Sequence, residues 1–367
     1  MANNASEDRA GATRRAFLSA SAVTAAAVPF ISVAAAKAST APAIARHQPD
    51  NELRHLIRQI DPARIEATIQ TLVSFGTRHT ASSQTDPVRG IGAAVNWVYG
   101  QMQAIAATSS GNMTVQKQTF VQPVASNIPV PTTISNVIAT LQGTASPQRY
   151  YVVTGHLDSR VTDVLNFTSD APGADDDGSG VAVVLELARL FATRQFPGTL
   201  VFATVDGEEQ GLYGSGYMAT QMAAAGADVQ GMFSNDIVGA SQAWDGTKPD
   251  PHSLRLFVEG IPTAVTASEI AVMQAVGGEV DGQTHQLARF VTDVAPHELT
   301  DMDIRVIWRR DRYLRGSDHI SFQEHNYPAA RFTEPRENFN HEHRDVDVID
   351  GVQNGDLIEY VDFDYTA

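Results

Sequence analysis

The spacing of apolar residues predicts helices and strands that alternate along most of the chain. An apolar residue every three or four positions is typical of a helix with one buried face, and this spacing is found over 51–60, 62–73, 90–102, 178–195 and 211–224. Short runs rich in β-branched and apolar residues predict strands over 114–120, 133–141, 150–154, 199–205, 231–236 and 254–259. Strands that alternate with helices indicate an α/β domain with a largely parallel sheet.

The first 50 residues have a different pattern, that of an export leader followed by a linker. Arg14 and Arg15 precede a moderately apolar run that ends in Ala36-Lys37-Ala38, an order typical of a signal peptide. The paired arginines resemble a twin-arginine signal, and an ordinary secretory signal is the alternative. We therefore predict a leader over 1–38, a linker over 39–50, one catalytic domain over 51–367 and a periplasmic or extracellular location.

Composition and charge narrow the classes of function. The chain has 367 residues, with 26 Lys and Arg against 42 Asp and Glu, which gives a formal net charge of −16. This balance argues against nucleic acid as a partner, because nucleic acids need a basic face. We also predict no stable membrane insertion after the leader is cleaved. The chain has no cysteine, so a metal site must use His, Asp and Glu.

Polar residues follow three of the predicted strands at the point where each ends. His156 and Asp158 follow the strand over 150–154, Glu208 and Glu209 follow the next strand, and Asp236 closes the third. Residues just beyond the carboxyl ends of parallel strands are placed to do chemistry. Taken singly, each has an ordinary explanation, such as an exposed acidic loop or a turn. Their shared position favours a site.

Three adjacent aspartates, Asp175, Asp176 and Asp177, lie between glycines just before a predicted helix. Neighbouring carboxylates repel each other, and a bound dication would relieve this repulsion. The simpler explanation is an acidic turn in which Asp177 or Ser179 caps the helix. One carboxylate shared between two metal ions would give the spacing that two-metal hydrolysis needs.

Read together, these segments resemble the family-28 metallopeptidases, a family of di-zinc aminopeptidases and related carboxypeptidases, and suggest an exported bacterial member. The likeness spans nearly all of the predicted mature chain and rests on Phe75-Gly76-Thr77-Arg78-His79-Thr80, Gly155-His156-Leu157-Asp158, Gly173-Ala174-Asp175-Asp176-Asp177, Gly207-Glu208-Glu209, Asn235-Asp236 and Ser317-Asp318-His319. The resemblance implies a three-layer αβα sandwich with a mostly parallel central sheet flanked by helices.

The resemblance also implies the role of each site residue. Asp176 would bridge two zinc ions, with His156 and Asp236 on one ion and Glu209 and a C-terminal histidine on the other. Glu208 would be the general base, and the Asp158 carboxylate would orient the His156 ring.

Two histidines of the C-terminal segment, His341 and His343, lie two residues apart, and either could supply the last ligand. Family members usually have His-Thr, then two residues and Asp, whereas this chain has His341-Glu342-His343-Arg344-Asp345. The interval from histidine to aspartate favours His341 as the ligand, with His343 as the second candidate.

The predicted activity is metal-assisted hydrolysis at a peptide end, most simply by an aminopeptidase with two zinc ions. A carboxypeptidase would need a basic residue for the substrate carboxylate, and four arginines are near enough in sequence: Arg309, Arg310, Arg312 and Arg315. The resemblance is also compatible with a single-zinc glutaminyl cyclase and with a non-catalytic, receptor-like relative.

Overall fold

The computed structural model describes residues 50–242, 247–297, 300–310 and 316–367. The predicted leader, residues 39–49 of the predicted linker, Arg312 and Arg315 lie outside the described residues. Asp50 begins the described chain and caps the first helix, because its side chain accepts hydrogen bonds from the amides of Glu52 and Leu53 at 2.8 and 3.2 Å. Within the described residues, no helix is both long enough and apolar enough to cross a bilayer.

The elements follow the predicted order closely in the first two thirds of the chain. The helices are α1 (Asn51–Ile57), α2 (Pro62–Ser74), α3 (Ile91–Ala107), α4 (Gly178–Phe191), α5 (Tyr213–Ala224), α6 (Ala267–Val276), α7 (Gln283–His297), α8 (His319–Gln323), α9 (Phe363–Thr366) and a 3₁₀ turn (Ile358–Tyr360). The strands are β1 (Met113–Gln122), β2 (Thr132–Leu141), β3 (Ser146–His156), β4 (Gly198–Val205), β5 (Asp228–Asn235), β6 (Ser253–Val258), β7 (Asp303–Trp308), β8 (Ala329–Thr333), β9 (Val348–Ile349) and β10 (Val352–Gln353).

Eight of these strands form one sheet in the order β1-β2-β4-β3-β5-β8-β6-β7. The four central strands, β4, β3, β5 and β8, run parallel to one another, and β6 runs parallel to β7. The pairs β1–β2, β2–β4 and β6–β8 are antiparallel. The predicted α/β sandwich is confirmed, and its sheet is mixed, with the parallel part at the centre. Strand β8, which the sequence pattern did not reveal, completes that part.

Helices cover both faces of the sheet, which explains why its central strands are apolar almost throughout. On β4, Phe202 packs into a core formed with α3 and α4, whereas the neighbouring Val201 and Ala203 pack into a second core that includes Met218 of α5 and Phe322 of α8. Successive side chains of a strand alternate between faces, so one strand supplies both cores.

The strand register brings the predicted site residues to one edge of the sheet. His156, the last residue of β3, pairs with Val205, the last residue of β4, and on the other side Thr154 pairs with Ser234 of β5. The segments that follow β4 and β5 therefore begin next to His156. The local pattern predicted three separate strand ends, and parallel pairing brings all three to the same edge of the sheet.

Gly155 allows helix α4 to pack closely against β3 just before His156. A Cβ atom added at Gly155 would lie 2.5 Å from the carbonyl carbon of Gly180, a distance at which the backbone must move. We therefore expect Gly155→Ala to lower the free energy of unfolding by about 1–3 kcal/mol, measured by denaturant titration, and to reduce activity because His156 shifts with the strand.

Gly100 provides the matched control, since it lies in helix α3 and a Cβ added there would meet nothing within 4 Å. Gly100→Ala should raise the free energy of unfolding by about 0.5–1 kcal/mol and leave activity as it was. Equal stability changes in the two variants would contradict the proposed packing constraint at Gly155.

Candidate metal centre

The centre of the site is Asp176, whose two carboxylate oxygens each face a different histidine. His156 Nε2 lies 2.9 Å from Asp176 Oδ1, and His343 Nε2 lies 2.8 Å from Asp176 Oδ2. Asp236 Oδ1 lies 3.8 Å from His156 Nε2, and Glu209 Oε2 lies 3.0 Å from His343 Nε2. The five side chains thus form two groups that share one carboxylate.

The three adjacent aspartates have three different partners. Asp177 caps helix α4, because its Oδ1 accepts from the amide of Gly180 at 2.9 Å, while its Oδ2 accepts from the amide of His156 at 2.8 Å. Asp175 Oδ1 accepts from the amide of Gly239 at 2.7 Å. The capping role considered for Asp177 is therefore observed, and Asp176 alone lies between the two histidines. The peptide bond between Asp176 and Asp177 is cis.

The C-terminal histidine in this centre is His343, so the expectation for His341 requires correction. The His341 ring stacks on Tyr360, with ring centroids 3.6 Å apart, and its Nε2 lies 3.4 Å from the side-chain nitrogen of Asn338. His343 adopts a left-handed backbone conformation, with φ of 54°, in the turn that follows. The interval to Asp345 was a poor guide because this turn, and not spacing along the chain, determines which ring reaches Asp176.

Asp158 has a different role from the one that the resemblance implied. His156 Nδ1 lies 3.1 Å from the main-chain carbonyl oxygen of Asp158 but 3.7 Å from its carboxylate, which is too far for a hydrogen bond. The carboxylate instead accepts from three successive amides, those of Gly207, Glu208 and Glu209, at 2.9, 3.2 and 3.0 Å. Asp158 therefore orients the His156 ring through its backbone and fixes the acidic turn through its side chain.

Two further buried residues hold the loops of the centre, and sequence reasoning assigned neither a role. The Arg78 guanidinium donates to the carbonyl oxygens of Leu157, Pro172 and Gly173 at 2.7, 2.6 and 2.8 Å, so it joins the His156 loop to the Asp176 loop. The Asp356 carboxylate accepts from the amide of Asp176 at 2.7 Å. Arg78 lies within a segment that carried the family resemblance, but no periodic pattern indicated Asp356.

A cavity of about 400 Å³ lies against the centre and exposes part of it to solvent. Its wall includes the side chains of Glu208, Glu209, His156 and His343. Burial raises the pKa of Glu208 well above its usual range, and the negative charges of Asp236, Glu209 and Asp318 add to this effect against the opposing charge of His156. Glu208 is therefore placed at the cavity as a carboxyl group with increased proton affinity.

Arg331, on the unpredicted strand β8, contributes a buried positive charge beside Asp236. Its Nη2 lies 2.9 Å from Asp236 Oδ1, and the side chain also lines the cavity. Burial opposes ionisation of Asp236, but Arg331 and the neighbouring His156 together lower the pKa of its carboxyl to about 2. A five-residue strand gives little periodic signal, so the sequence offered no means of placing this arginine.

Three of the residues that line the same cavity have a strained backbone. Leu212, Ile237 and His343 all line it, and each has a positive φ, of 59°, 57° and 54° respectively. This conformation is unfavourable for a side chain with a Cβ atom, most of all for a β-branched residue such as Ile237. Strain of this kind persists only where surrounding contacts enforce it, and it is concentrated at functional sites.

The donor set fits two zinc ions. Two atoms bound to one tetrahedral zinc lie about 3.4 Å apart, and the observed separations of 2.8–3.8 Å bracket this value. Among the described residues, ligand atoms of His156, Asp176 and Asp236 lie within 4.8 Å of one another, and so do ligand atoms of Asp176, Glu342 and His343. The second set contains Glu342 in addition to Glu209, whose Oε2 lies 3.0 Å from His343 Nε2. In the described part of the chain, the buried Oε1 of Glu209 has no hydrogen-bond partner, as expected of an atom reserved for another ligand.

The charge of the centre also favours bound cations. Burial opposes protonation of His343, yet Glu209 and Asp176 outweigh burial and raise its pKa to about 10. Burial likewise opposes protonation of His156, and Asp177 and Asp158 are among the groups that raise its pKa well above the usual range. The carboxylates thus require positive charge beside them, which metal ions would supply.

Comparison with solved structures defines the class of fold. The LapA aminopeptidase of Legionella pneumophila is similar with a TM-score of 0.59 and 17% identity, over 86% of this chain and 70% of that one. The glutaminyl cyclase of Porphyromonas gingivalis is similar with a TM-score of 0.53 and 18% identity, over 83% of this chain and 93% of that one. At these identities the likeness establishes the shared fold and leaves the reaction open.

Sequence comparison identifies the family. The sequence profile of peptidase family M28 matches residues 136–362, more than half of the chain. A probable zinc metalloprotease of Pyricularia oryzae is 51% identical over 327 residues, which are 88% of this chain and 65% of the relative. The chain belongs to peptidase family M28, as the motifs predicted. It spans about two thirds of that fungal relative's length, and the bacterial origin and export inferred from the leader stay predictions.

Proposed function

We propose that this chain is a zinc-dependent aminopeptidase that holds two zinc ions and uses Glu208 as the general base. The observation that carries the proposal is the position of Asp176, whose two oxygens lie 2.9 and 2.8 Å from two different histidines. The name of the fungal relative, a probable zinc metalloprotease, supports zinc and peptide hydrolysis.

His156, Asp176 and Asp236 would hold one ion, and Asp176, Glu209 and His343 would hold the other. When bound, such a pair of ions activates a water and stabilises the charge that develops on the scissile carbonyl oxygen. The Asp158 carboxylate fixes the turn that carries the two acidic side chains, because it accepts hydrogen bonds from the amides of both Glu208 and Glu209.

Glu208 would take a proton from the attacking water and return it to the leaving amine. The pKa of its carboxyl is raised by burial and by neighbouring negative charges, which makes it a better proton acceptor. Bound cations would favour the carboxylate form of Glu208 and so offset part of this increase.

The walls of the cavity suit the amino-terminal end of a peptide. Its carboxylates attract an ammonium group, whereas an acetylated amino terminus carries no charge to attract. Leu212, Ile237 and Ile320 add apolar surface to the wall, where the first side chain of the substrate would pack. We therefore propose a preference for an apolar amino-terminal residue.

Metal analysis and a matched substrate panel test this proposal. Purified protein should contain close to two zinc ions per chain and should hydrolyse leucine p-nitroanilide. Prolonged treatment with a chelator should remove both the zinc and nearly all of the activity, and added zinc should restore them.

The control substrates separate the candidate reactions. Acetyl-leucine p-nitroanilide should not be cleaved, since it lacks the free amine. Efficient cleavage of acetyl-Leu-Leu would instead indicate a carboxypeptidase, and conversion of an N-terminal glutaminyl peptide with release of ammonia would indicate a cyclase. A protein that takes up no zinc on reconstitution would rule out the metal centre itself.

A further inference from the structure

Two arginines in the wall of the cavity have no acidic partner among the described residues. Arg160 and Arg310 line the same cavity as Glu208. Arg160 Nε and Nη2 donate to the carbonyl oxygens of Val161 and Thr162 at 3.1 and 3.0 Å. Across residues 50–242, 247–297, 300–310 and 316–367, no carboxylate forms an ion pair with either guanidinium, whereas Arg331 pairs with Asp236 at 2.9 Å.

Other described arginines, such as Arg289, also form no ion pair with a carboxylate, so Arg160 and Arg310 are distinguished by their position in the wall of the cavity. A guanidinium has five N–H donors, and the two hydrogen bonds to main-chain carbonyls hold the Arg160 side chain while leaving donors for another group. The planar fork of an arginine matches the two oxygens of a carboxylate and binds it more specifically than a lysine does.

The two arginines belong to different loops, and each loop is hydrogen-bonded to a segment that lines the cavity. The amide of Asp345 donates to Thr162 Oγ1 at 3.2 Å, which joins the Arg160 turn to the segment that carries His343. The main-chain oxygen of Arg310 lies 2.6 Å from His319 Nε2, at the start of helix α8. The Arg160 side chain and the main chain of Arg310 are therefore fixed next to the cavity by these hydrogen bonds.

We propose that Arg160 and Arg310 bind a carboxylate of the peptide substrate on the leaving-group side of the scissile bond. This inference rests on the proposed aminopeptidase function. A substrate amine is attracted by the carboxylates of the centre and repelled by the two arginines, so the arginines suit the opposite, anionic part of a short peptide. The carboxylate can be the free C-terminus of a dipeptide or the side chain of Asp or Glu in its second residue.

Paired substrates that differ only in one carboxylate test the proposal. The zinc-loaded protein should have a kcat/KM for Leu-Leu about tenfold or more above that for Leu-Leu-amide, mainly through KM, because the fork–carboxylate interaction contributes to binding. Comparison of Leu-Asp-amide with Leu-Asn-amide tests the side-chain source in the same way. Preference for the carboxylate in either pair supports the proposal, and its location identifies the source.

Variants connect the preference to these residues. Arg160→Gln and Arg310→Gln should each bring the ratio of kcat/KM for the acid to kcat/KM for the amide closer to one. The double variant should abolish the preference. Arg289→Gln is the matched control, since Arg289 is an exposed arginine on helix α7 that does not line this cavity, and it should keep the wild-type ratio. Added salt should weaken the wild-type preference, because the arginines are reached from solvent.

Two outcomes would overturn the proposal. One is equal kcat/KM for acid and amide in both substrate pairs while leucine p-nitroanilide is cleaved; the other is a preference that both arginine variants retain. If leucine p-nitroanilide is not cleaved, the proposed aminopeptidase function is wrong, whatever the two arginines bind. Calorimetric titration with Leu-Leu and Leu-Leu-amide then tests the role of the arginines. The wild-type protein should bind the acid more tightly than the amide, and Arg160→Gln should lose this difference.

Discussion

Glu208→Gln is expected to lower kcat for leucine p-nitroanilide by about 10²–10⁴-fold while the protein keeps both zinc ions. Glutamine has nearly the same shape as glutamate but cannot accept the proton of the attacking water. The turn itself should persist, because it is fixed by amide hydrogen bonds to Asp158 at 2.9–3.2 Å and not by the Glu208 side chain. Steady-state kinetics and zinc content, measured on the same preparation, check this result.

Two matched variants separate the loss of a general base from the loss of a zinc ligand and from the loss of any glutamate. Glu209→Gln changes the adjacent residue, whose Oε2 lies 3.0 Å from His343 Nε2, and should lose zinc as well as activity. Glu324→Gln changes an exposed glutamate after helix α8 and should alter neither. If Glu208→Gln kept full activity, another residue would have to be the base; if it lost zinc, Glu208 would be a ligand.

His343→Ala is expected to remove one of the two zinc ions and to lower kcat/KM by about 100-fold or more. Loss of a group that only orients a ligand already reduces metal affinity or activity by about 10–100-fold, and His343 lies in contact with both Asp176 and Glu209. Zinc content by elemental analysis, and activity after dialysis against buffered zinc, check the expected loss.

His341→Ala is the matched control, two residues away in the same segment. It should retain both zinc ions, because the His341 ring stacks on Tyr360 and does not contact Asp176 in the described structure. Loss of the stacked pair should lower the free energy of unfolding by about 0.5–1.5 kcal/mol beyond the effect of reduced burial. Loss of zinc in this variant, with zinc retained in His343→Ala, would restore the interpretation based on the interval to Asp345.

The contrast between these two histidines shows where reading the sequence was reliable. His156, Glu209 and Asp236 were placed from the strands that precede them, because a strand end has a fixed position once the parallel register is known. His341 was chosen because its interval to Asp345 matches the interval usual in the family, and this segment is a loop. The conformation of that loop depends on the stacking on Tyr360 and on the positive φ of His343, neither of which local spacing determines.

The sequence alone determined the alternation of strands and helices and the His, Asp and Glu character of the centre, because these depend on local periodicity and on side chains that lie next to strand ends. The family was indicated separately, by the motifs that this chain shares with family M28. Only the tertiary structure decided that the sheet is mixed and that strand β8 brings Arg331 to Asp236. The tertiary structure also placed Arg160 and Arg310 in one cavity, and His343 in place of His341 beside Asp176. These features depend on contacts between segments far apart in the chain, and such contacts leave no periodic trace within any one segment.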